Sequence, residues 1–131
     1  MSALFTAWLV LLSGTTATTY GWGEDSCNGP CVKGKLTASG DVFDPAVASV
    51  AMALPTVYRV RSQNIYLRLE GGKCTKVRLN DRMSGLSLGR VGWDLTPAAV
   101  RAIGGVPSAS WSGRVFLCKQ GETQSDKVSK T

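Results

Sequence analysis

Two aspartates near the middle of the sequence have the residue type and placement that acid and base chemistry requires. Asp81 follows the alternating apolar residues 74–80, and Asp94 follows a shorter apolar run at residues 91–93. Each lies beside a predicted backbone reversal, where a polar side chain at the end of a strand reaches the rim of a sheet. Cleavage of a sugar or peptide bond uses carboxyl groups in such positions. The pair is therefore the candidate site.

Both aspartates also have structural interpretations. Asp81 can cap backbone amides in a turn or pair with Arg82. Asp94 lies two residues before Thr96-Pro97, which is a helix start with an N-cap and a proline at the first helical position, so it can cap that helix. These alternatives remain open at the level of sequence.

The composition excludes several other chemistries. The chain has no histidine, which removes Ser-His and Cys-His nucleophiles and zinc sites with histidine ligands. Its four cysteines, Cys27, Cys31, Cys74 and Cys118, lack the spacing of a zinc ribbon, and their even number favours two disulfides in an oxidising compartment. Glycine-rich phosphate loops are absent as well. We therefore predict neither a metal nor a cofactor.

The net charge points to an anionic partner. Fifteen Lys and Arg against nine Asp and Glu give +6, which suits nucleic acid, a phosphorylated surface or an acidic cell-wall polymer. The basic residues are scattered rather than clustered among aromatics, so nucleic acid is not the expected partner. Arginines at alternate positions of residues 57–61 and 65–69 form either a basic face for a polymer or a solvated outer face.

The first residues form an apolar leader. Residues 3–12 are long enough for the core of a signal peptide and too short to span a bilayer, although no Lys or Arg precedes them. Two interpretations stay open, an export signal or a retained arm that docks on a protein partner. We predict a leader at residues 1–18, one folded domain at 19–118 and a polar tail at 119–131.

The folded domain is predicted to be mainly β. The Thr96-Pro97 start predicts a helix at residues 97–103, which ends at Gly104-Gly105. Alternation and turn residues predict several extended segments. The alanine-rich residues 45–54 predict one or two helical turns instead. Many short strands with little helix indicate a small closed β-barrel. The extended segments are residues 17–22, 36–41, 57–61, 65–69, 74–80 and 111–118.

Five segments of the chain have a distinctive order and spacing, at residues 36–44, 53–55, 77–82, 93–99 and 103–104. In both respects they resemble the rare lipoprotein A-like double-psi β-barrel, over about residues 19–118. That barrel is shared with barwin, expansins and some endoglucanases, and the Tyr20-Gly21 step is similar to the opening of the family.

The resemblance implies a six-stranded double-psi barrel with one or two short helices and a polysaccharide groove. It implies lytic transglycosylase action on peptidoglycan, with the aspartate at Asp81 and a histidine whose position falls at Ala51 in this chain. Asp94 corresponds to an aspartate that is important in expansins and related endoglucanases. By the same analogy Cys74 pairs with Cys118, which leaves Cys27 with Cys31.

Six residues are predicted to bind substrate. Tyr20, Trp22 and Trp93 have aromatic faces that match the apolar faces of sugars, although core packing is the commoner role of such residues. The others lie in or beside the segments that resemble the family, and they are Thr37, Ser39 and Arg82.

Two functional hypotheses follow. In the first, an exported or virion-associated protein cleaves peptidoglycan strands with Asp81 as acid and base, assisted by Asp94. In the second, the barrel is a non-catalytic structural or glycan-binding module in a larger assembly such as a phage tail, because the histidine is missing. The corresponding locations are the periplasm or cell envelope, and the virion.

Overall fold

The computed structural model describes residues 3–22, 34–54, 59–84 and 91–121. That part of the chain contains six strands and two helices, the second helix being short. The elements in chain order are α1 (Ala3–Leu12), β1 (Thr16–Thr19), β2 (Ser49–Leu54), β3 (Gln63–Leu69), β4 (Thr75–Ser84), β5 (Val91–Leu95), α2 (Pro97–Ala102) and β6 (Gly113–Leu117).

The six strands close into a barrel in the order β1-β5-β2-β4-β3-β6, which confirms the predicted mainly β fold. Two neighbouring pairs, β1 with β5 and β2 with β4, are parallel. The other four pairs are antiparallel, and β6 closes the barrel against β1. Because every strand has two neighbours, no strand of the barrel leaves a free edge.

Strand β2 corrects the prediction for residues 45–54. The alanine content predicted helical turns, but Ser49–Leu54 is a strand whose six residues are all buried. It runs between β4 and β5 and is covered on both faces, so the small alanines serve close packing rather than helix formation. Helix propensity is a weak signal, and tertiary burial overrides it here.

Other boundaries also differ from the predictions. Strand β1 stops at Thr19, and Gln63 and Asn64 belong to β3 rather than to a turn. Strand β4 continues through Asp81 instead of ending before it. Of the strand predicted at residues 57–61, residues 59–61 are not in a strand, and 57–58 lie outside the described residues. The predicted start of α2 is confirmed, with Thr96 as its N-cap.

Helix α1 packs against the barrel. Its Phe5, Leu9 and Leu12 side chains are buried in the same core as the strands, whereas Val10 and Leu11 are exposed. The helix joins β1 directly, and the Gly14 amide donates to the Val115 carbonyl of β6 at 2.7 Å. The apolar leader is thus part of the folded unit in this structure. Among the described residues, no helix is long and apolar enough to cross a membrane.

A disulfide joins Cys74 to Cys118, as the resemblance implied. The bond connects the start of β4 to the end of β6, the two strands that flank β3, and closes a loop with a sequence separation of 44. Cys27 and Cys31 lie outside the described residues.

Replacing Cys74 and Cys118 together by alanine is expected to lower the free energy of unfolding by about 3–4 kcal/mol. The reason is that opening a loop of this length restores conformational entropy to the unfolded chain. Urea unfolding of the double variant beside the oxidised parent measures the change. Identical urea midpoints would contradict the prediction.

Candidate active site

The barrel brings Asp81 and Asp94 to the two sides of one alanine. Ala51 of β2 pairs with Asp81 of β4 and with Asp94 of β5. Residues opposite each other in neighbouring strands point to the same face, so both carboxylates lie on the face that carries Ala51. Neighbouring strands are about 4.8 Å apart, so two strand spacings of roughly 10 Å are the most that separates their Cα atoms across the sheet. The two aspartates therefore form a single site.

An irregularity in a parallel strand pair precedes each carboxylate. The register between β2 and β4 shifts so that Asn80 is an extra residue immediately before Asp81. The register between β1 and β5 shifts in the same way at Gly92, two residues before Asp94. A Cβ atom at Gly92 would overlap Thr15 Oγ1, so the chain needs glycine there. Bulges of this kind redirect the side chains that follow them.

Asp81 is held by backbone amides. Its Oδ1 accepts from the Ala38 amide at 3.0 Å and from the Arg82 amide at 2.9 Å, and the residue is only 6% exposed. Burial raises the pKa of Asp81, while the two amides and the Arg82 charge oppose the rise. Asp81 therefore caps backbone amides, as one of its structural interpretations predicted. Both hydrogen bonds are accepted by Oδ1. Neither of these two bonds uses Oδ2.

Asp94 has a different set of partners. Its Oδ1 accepts from Thr18 Oγ1 of β1 at 3.0 Å. Burial raises the pKa of Asp94 to about 6, and the Asp81 charge adds to the rise while the Thr18 bond opposes it. The interpretation of Asp94 as the cap of α2 is wrong, since Thr96 accepts from the Ala99 amide at 3.2 Å. Asp94 can therefore hold a proton near neutral pH.

A small apolar cluster lies beside the carboxylates. Tyr20, Phe43 and Ala51 are buried together, with Met83 packed against them. The Tyr20 and Phe43 ring centroids are 5.4 Å apart, and Tyr20 is 4% exposed. Contrary to the prediction, the Tyr20 ring is not available to stack on a sugar.

The charges of both carboxylates act on the Tyr20 hydroxyl. Burial raises the pKa of Tyr20 above its usual range, and the charges of Asp81 and Asp94 raise it further, while a hydrogen bond with the Ser49 side chain opposes the rise. The hydroxyl oxygen is buried, and the Ser49 side chain lies near it. Tyr20 is thus a neutral hydroxyl next to the acidic pair.

The two tryptophans predicted to stack on sugars have different surroundings. Trp93 is fully buried in the barrel core, and its Nε1 donates to the Leu12 carbonyl at 2.9 Å. It is therefore unavailable for stacking, contrary to the prediction. Trp22 is 37% exposed, and its Nε1 donates to Thr19 Oγ1 at 2.9 Å. Trp22 is the predicted aromatic that keeps an accessible surface.

The remaining predicted binding residues lie close to Asp81. Thr37 and Ser39 share a hydrogen bond of 3.0 Å between their hydroxyls, and the Ser39 amide donates to the Asn80 carbonyl at 3.1 Å. This turn carries the Ala38 amide that binds Asp81. Arg82 is half-buried, and its Nη1 approaches the Leu54 carbonyl at 3.5 Å. The structure therefore places these residues around one carboxylate.

One described cavity lies apart from the carboxylates. It has a volume of about 390 Å³ and does not include either aspartate. Within the described ranges, no three acidic, histidine or cysteine side chains come together to hold a metal ion. The cavity is lined by residues 69–73, Thr75 and residues 102–104.

Two contributors to the site were not predicted from the sequence. Thr18 orients Asp94, and the Ala38 amide orients Asp81. The first had a weak signal, because threonine is common in strands and its hydroxyl can donate a hydrogen bond. The second had none, since a backbone amide has no signature in the sequence.

Comparison of the chain with protein-family models and with curated proteins finds no match to either. The candidate site is consequently defined by its own geometry. That geometry consists of Asp81 and Asp94 on opposite sides of Ala51, with the Tyr20 hydroxyl beside them.

Proposed function

We propose that the barrel acts on peptidoglycan glycan strands and cleaves them as a lytic transglycosylase does. The observation that carries the proposal is the pairing of Asp81 and Asp94 with the same alanine from opposite sides. Two carboxyl groups on one face can move a proton onto one sugar oxygen and off another. The net charge of +6 supports an anionic polymer as substrate.

The reaction needs one acid and one base. Asp94, whose raised pKa keeps a proton up to about pH 6, donates that proton to the glycosidic oxygen as the bond to the sugar carbon breaks. The substrate's own hydroxyl forms the new bond to that carbon, and its proton passes to the ionised Asp81. Exchange with water then restores both carboxyl groups. No histidine is required.

These roles differ from the first expectation, in which Asp81 was acid and base and Asp94 assisted. Two amide donors favour the ionised form of Asp81, whereas Asp94 accepts from one hydroxyl. The groups interact, because the Asp81 charge raises the pKa of Asp94. Assigning the proton to Asp94 follows from this difference in surroundings.

The second candidate is a glycan-binding or structural module without catalysis. Ala51 favours it, because a small apolar side chain stands between the carboxylates at the position where the resembling family carries histidine. Exposed Val10 and Leu11 on α1 would then contact neighbouring chains in an assembly such as a phage tail. A mature N-terminus near Thr18, found by mass spectrometry, would contradict that arrangement.

Digestion of purified sacculi separates the two candidates. The wild-type protein is expected to release anhydro-muropeptides, and Asp81→Asn and Asp94→Asn are each expected to reduce the rate by at least about 100-fold, the usual contribution of an acid or base. Release by both variants at the wild-type rate would disprove catalysis by this pair. Co-sedimentation with sacculi without any release would favour the binding module.

The rate should also depend on pH. Because Asp94 acts in its protonated form, activity is expected to fall as the pH rises through about 6. Activity should fall at low pH as well, when Asp81 becomes protonated. In an Asp81→Asn variant the alkaline limb should move to lower pH, since the neighbouring charge that raises the pKa of Asp94 is gone. If the high-pH side of the rate profile did not move in this variant, the charge of Asp81 would not raise the pKa of Asp94.

A further inference from the structure

The turn at residues 37–41 holds one side of Asp81. The Thr37 amide donates to the Asp41 carbonyl at 2.8 Å and closes the turn. From the middle of the turn, the Ala38 amide donates to Asp81 Oδ1 at 3.0 Å. A hydrogen bond from an amide to a carboxylate favours the ionised form, and its strength depends on distance and angle. The acidity of Asp81 therefore depends on where the turn lies.

Further contacts attach this turn to the barrel. The Ser39 amide donates to the Asn80 carbonyl of β4 at 3.1 Å. At the end of the turn, the Asp41 carboxylate accepts a hydrogen bond from the Ser62 hydroxyl. Arg78 Nε lies 3.6 Å from the same carboxylate oxygen, where both side chains are partly exposed. An exposed ion pair adds little stability, so the Ser62 bond is the stronger attachment at this end of the turn.

Ser62 links the turn to the start of β3. It directly precedes Gln63, the first residue of that strand, which pairs with β4. The hydrogen bond with Ser62 is the largest of the effects that lower the pKa of Asp41, and a hydrogen bond with the Asn80 side chain acts in the same direction. Asp41 is therefore ionised at neutral pH, and the Ser62 bond is charge-assisted. Because β3 is part of the closed barrel, this hydroxyl is a fixed anchor.

We propose that Ser62 is a positioning residue for Asp81, which acts through Asp41 and the turn at residues 37–41. The Ser62 hydroxyl fixes the Asp41 carboxylate, Asp41 fixes the end of the turn, and the turn presents the Ala38 amide to Asp81. Ser62 donates to Asp41 rather than to Asp81, so its influence is indirect. Its consequence for cleavage rests on the proposed function, in which Asp81 is the base.

The other charges around Asp81 do not depend on this link. Arg82, the next residue of β4, supplies a second amide and a positive charge. Asp94 of β5 and the buried Tyr20 are the titratable groups whose pKa values the Asp81 charge raises. The Asp41 charge is not among the causes of the shift in the pKa of Asp81. A substitution at this end of the turn therefore reaches Asp81 through the position of the turn rather than through charge.

NMR of Ser62→Ala tests the proposal. Hydrogen exchange at the Ala38 amide is expected to be at least about tenfold faster than in the wild-type protein, because the turn loses a charge-assisted hydrogen bond. The pKa of Asp81, measured by carboxyl NMR, is expected to rise. Ser62→Thr keeps the hydroxyl and should restore both wild-type values. Ser108→Ala removes an exposed hydroxyl that shares a hydrogen bond with Ser110, and it should change neither value.

Asp41→Ala distinguishes position from charge. If Asp41 holds the turn, the pKa of Asp81 rises in this variant, whereas the loss of a nearby negative charge alone would lower it. Thermal unfolding checks that each variant is folded. The proposal would be overturned if Ser62→Ala left the Ala38 exchange rate and the Asp81 pKa unchanged, or if the Asp81 pKa fell in Asp41→Ala.

Digestion of sacculi is a separate measurement. In Ser62→Ala the low-pH side of the rate profile is expected to move to higher pH, because Asp81 becomes protonated at a higher pH. If the Asp81 pKa rises and the rate profile does not move, the role of Ser62 in cleavage is overturned. If the wild-type protein releases no anhydro-muropeptides, the proposed function fails, while the NMR measurements still decide whether Ser62 positions Asp81.

Discussion

Asp94→Asn is expected to raise the free energy of unfolding near pH 7 while abolishing cleavage of glycan strands. The folded chain retains the Asp94 proton up to a pKa of about 6, whereas the unfolded chain loses it near the ordinary aspartate pKa of 3.8. The folded state therefore binds more protons over that interval, and stability falls as the pH rises through it. Asparagine avoids the cost of the buried charge and keeps an oxygen that accepts from Thr18. We expect a gain of about 1–3 kcal/mol.

Urea unfolding at two pH values measures this effect. Near pH 7 the variant should be more stable than the parent, and near pH 4 or below, where Asp94 is protonated in the folded parent, the difference should shrink towards zero. Glu70→Gln, in an exposed ion pair, serves as the control and should change stability by less than about 1 kcal/mol. A variant that is less stable than the parent at both pH values would show that the charge of Asp94 is not buried at a cost.

Trp93→Ala should cause the largest loss of stability among single substitutions of the aromatic residues. The Trp93 side chain is fully buried in the main core, so its removal leaves a cavity and should cost about 3–5 kcal/mol. Trp93→Phe keeps most of the volume and loses the bond from Nε1 to the Leu12 carbonyl, with an expected cost of about 1–3 kcal/mol.

Thermal and urea unfolding of both variants check the order of these costs. Trp22→Ala is the matched control, because Trp22 is 37% exposed and its loss should cost much less. Glycan binding by the same variants is the second measurement, and it tests the stacking role. If Trp93→Ala weakened glycan binding and left stability unchanged, the stacking role first assigned to Trp93 would be restored and its burial in the core rejected.

The sequence predicted the barrel because most strands alternate clearly, but it misassigned β2. Ser49–Leu54 is buried on both faces and therefore lacks the alternation that marks a half-exposed strand. Its alanines then favoured a helix. The contacts of β2 with β4 and β5 make it a strand, and these contacts join residues that are far apart in the sequence.

The candidate site was also predicted only in part from the sequence. Asp81 and Asp94 were identified from their residue type and their place after apolar segments. Their proximity was not predictable, because it arises from the register shifts at Asn80 and Gly92 and from the strand order of the closed barrel. The burial of Tyr20 and Trp93 was equally hidden, since an aromatic side chain suits both a core and a sugar-binding surface.

Strand β5 connects α1 to the candidate site through two consecutive residues. Trp93 faces the core, and its Nε1 donates a hydrogen bond to the carbonyl of Leu12, the last residue of α1. Asp94 faces Ala51 on the other side of the sheet. We therefore expect that cutting away residues 3–12 would leave the buried indole without its acceptor and disturb the backbone that carries Asp94. The helix would then support the geometry of the candidate site as well as the core of the barrel.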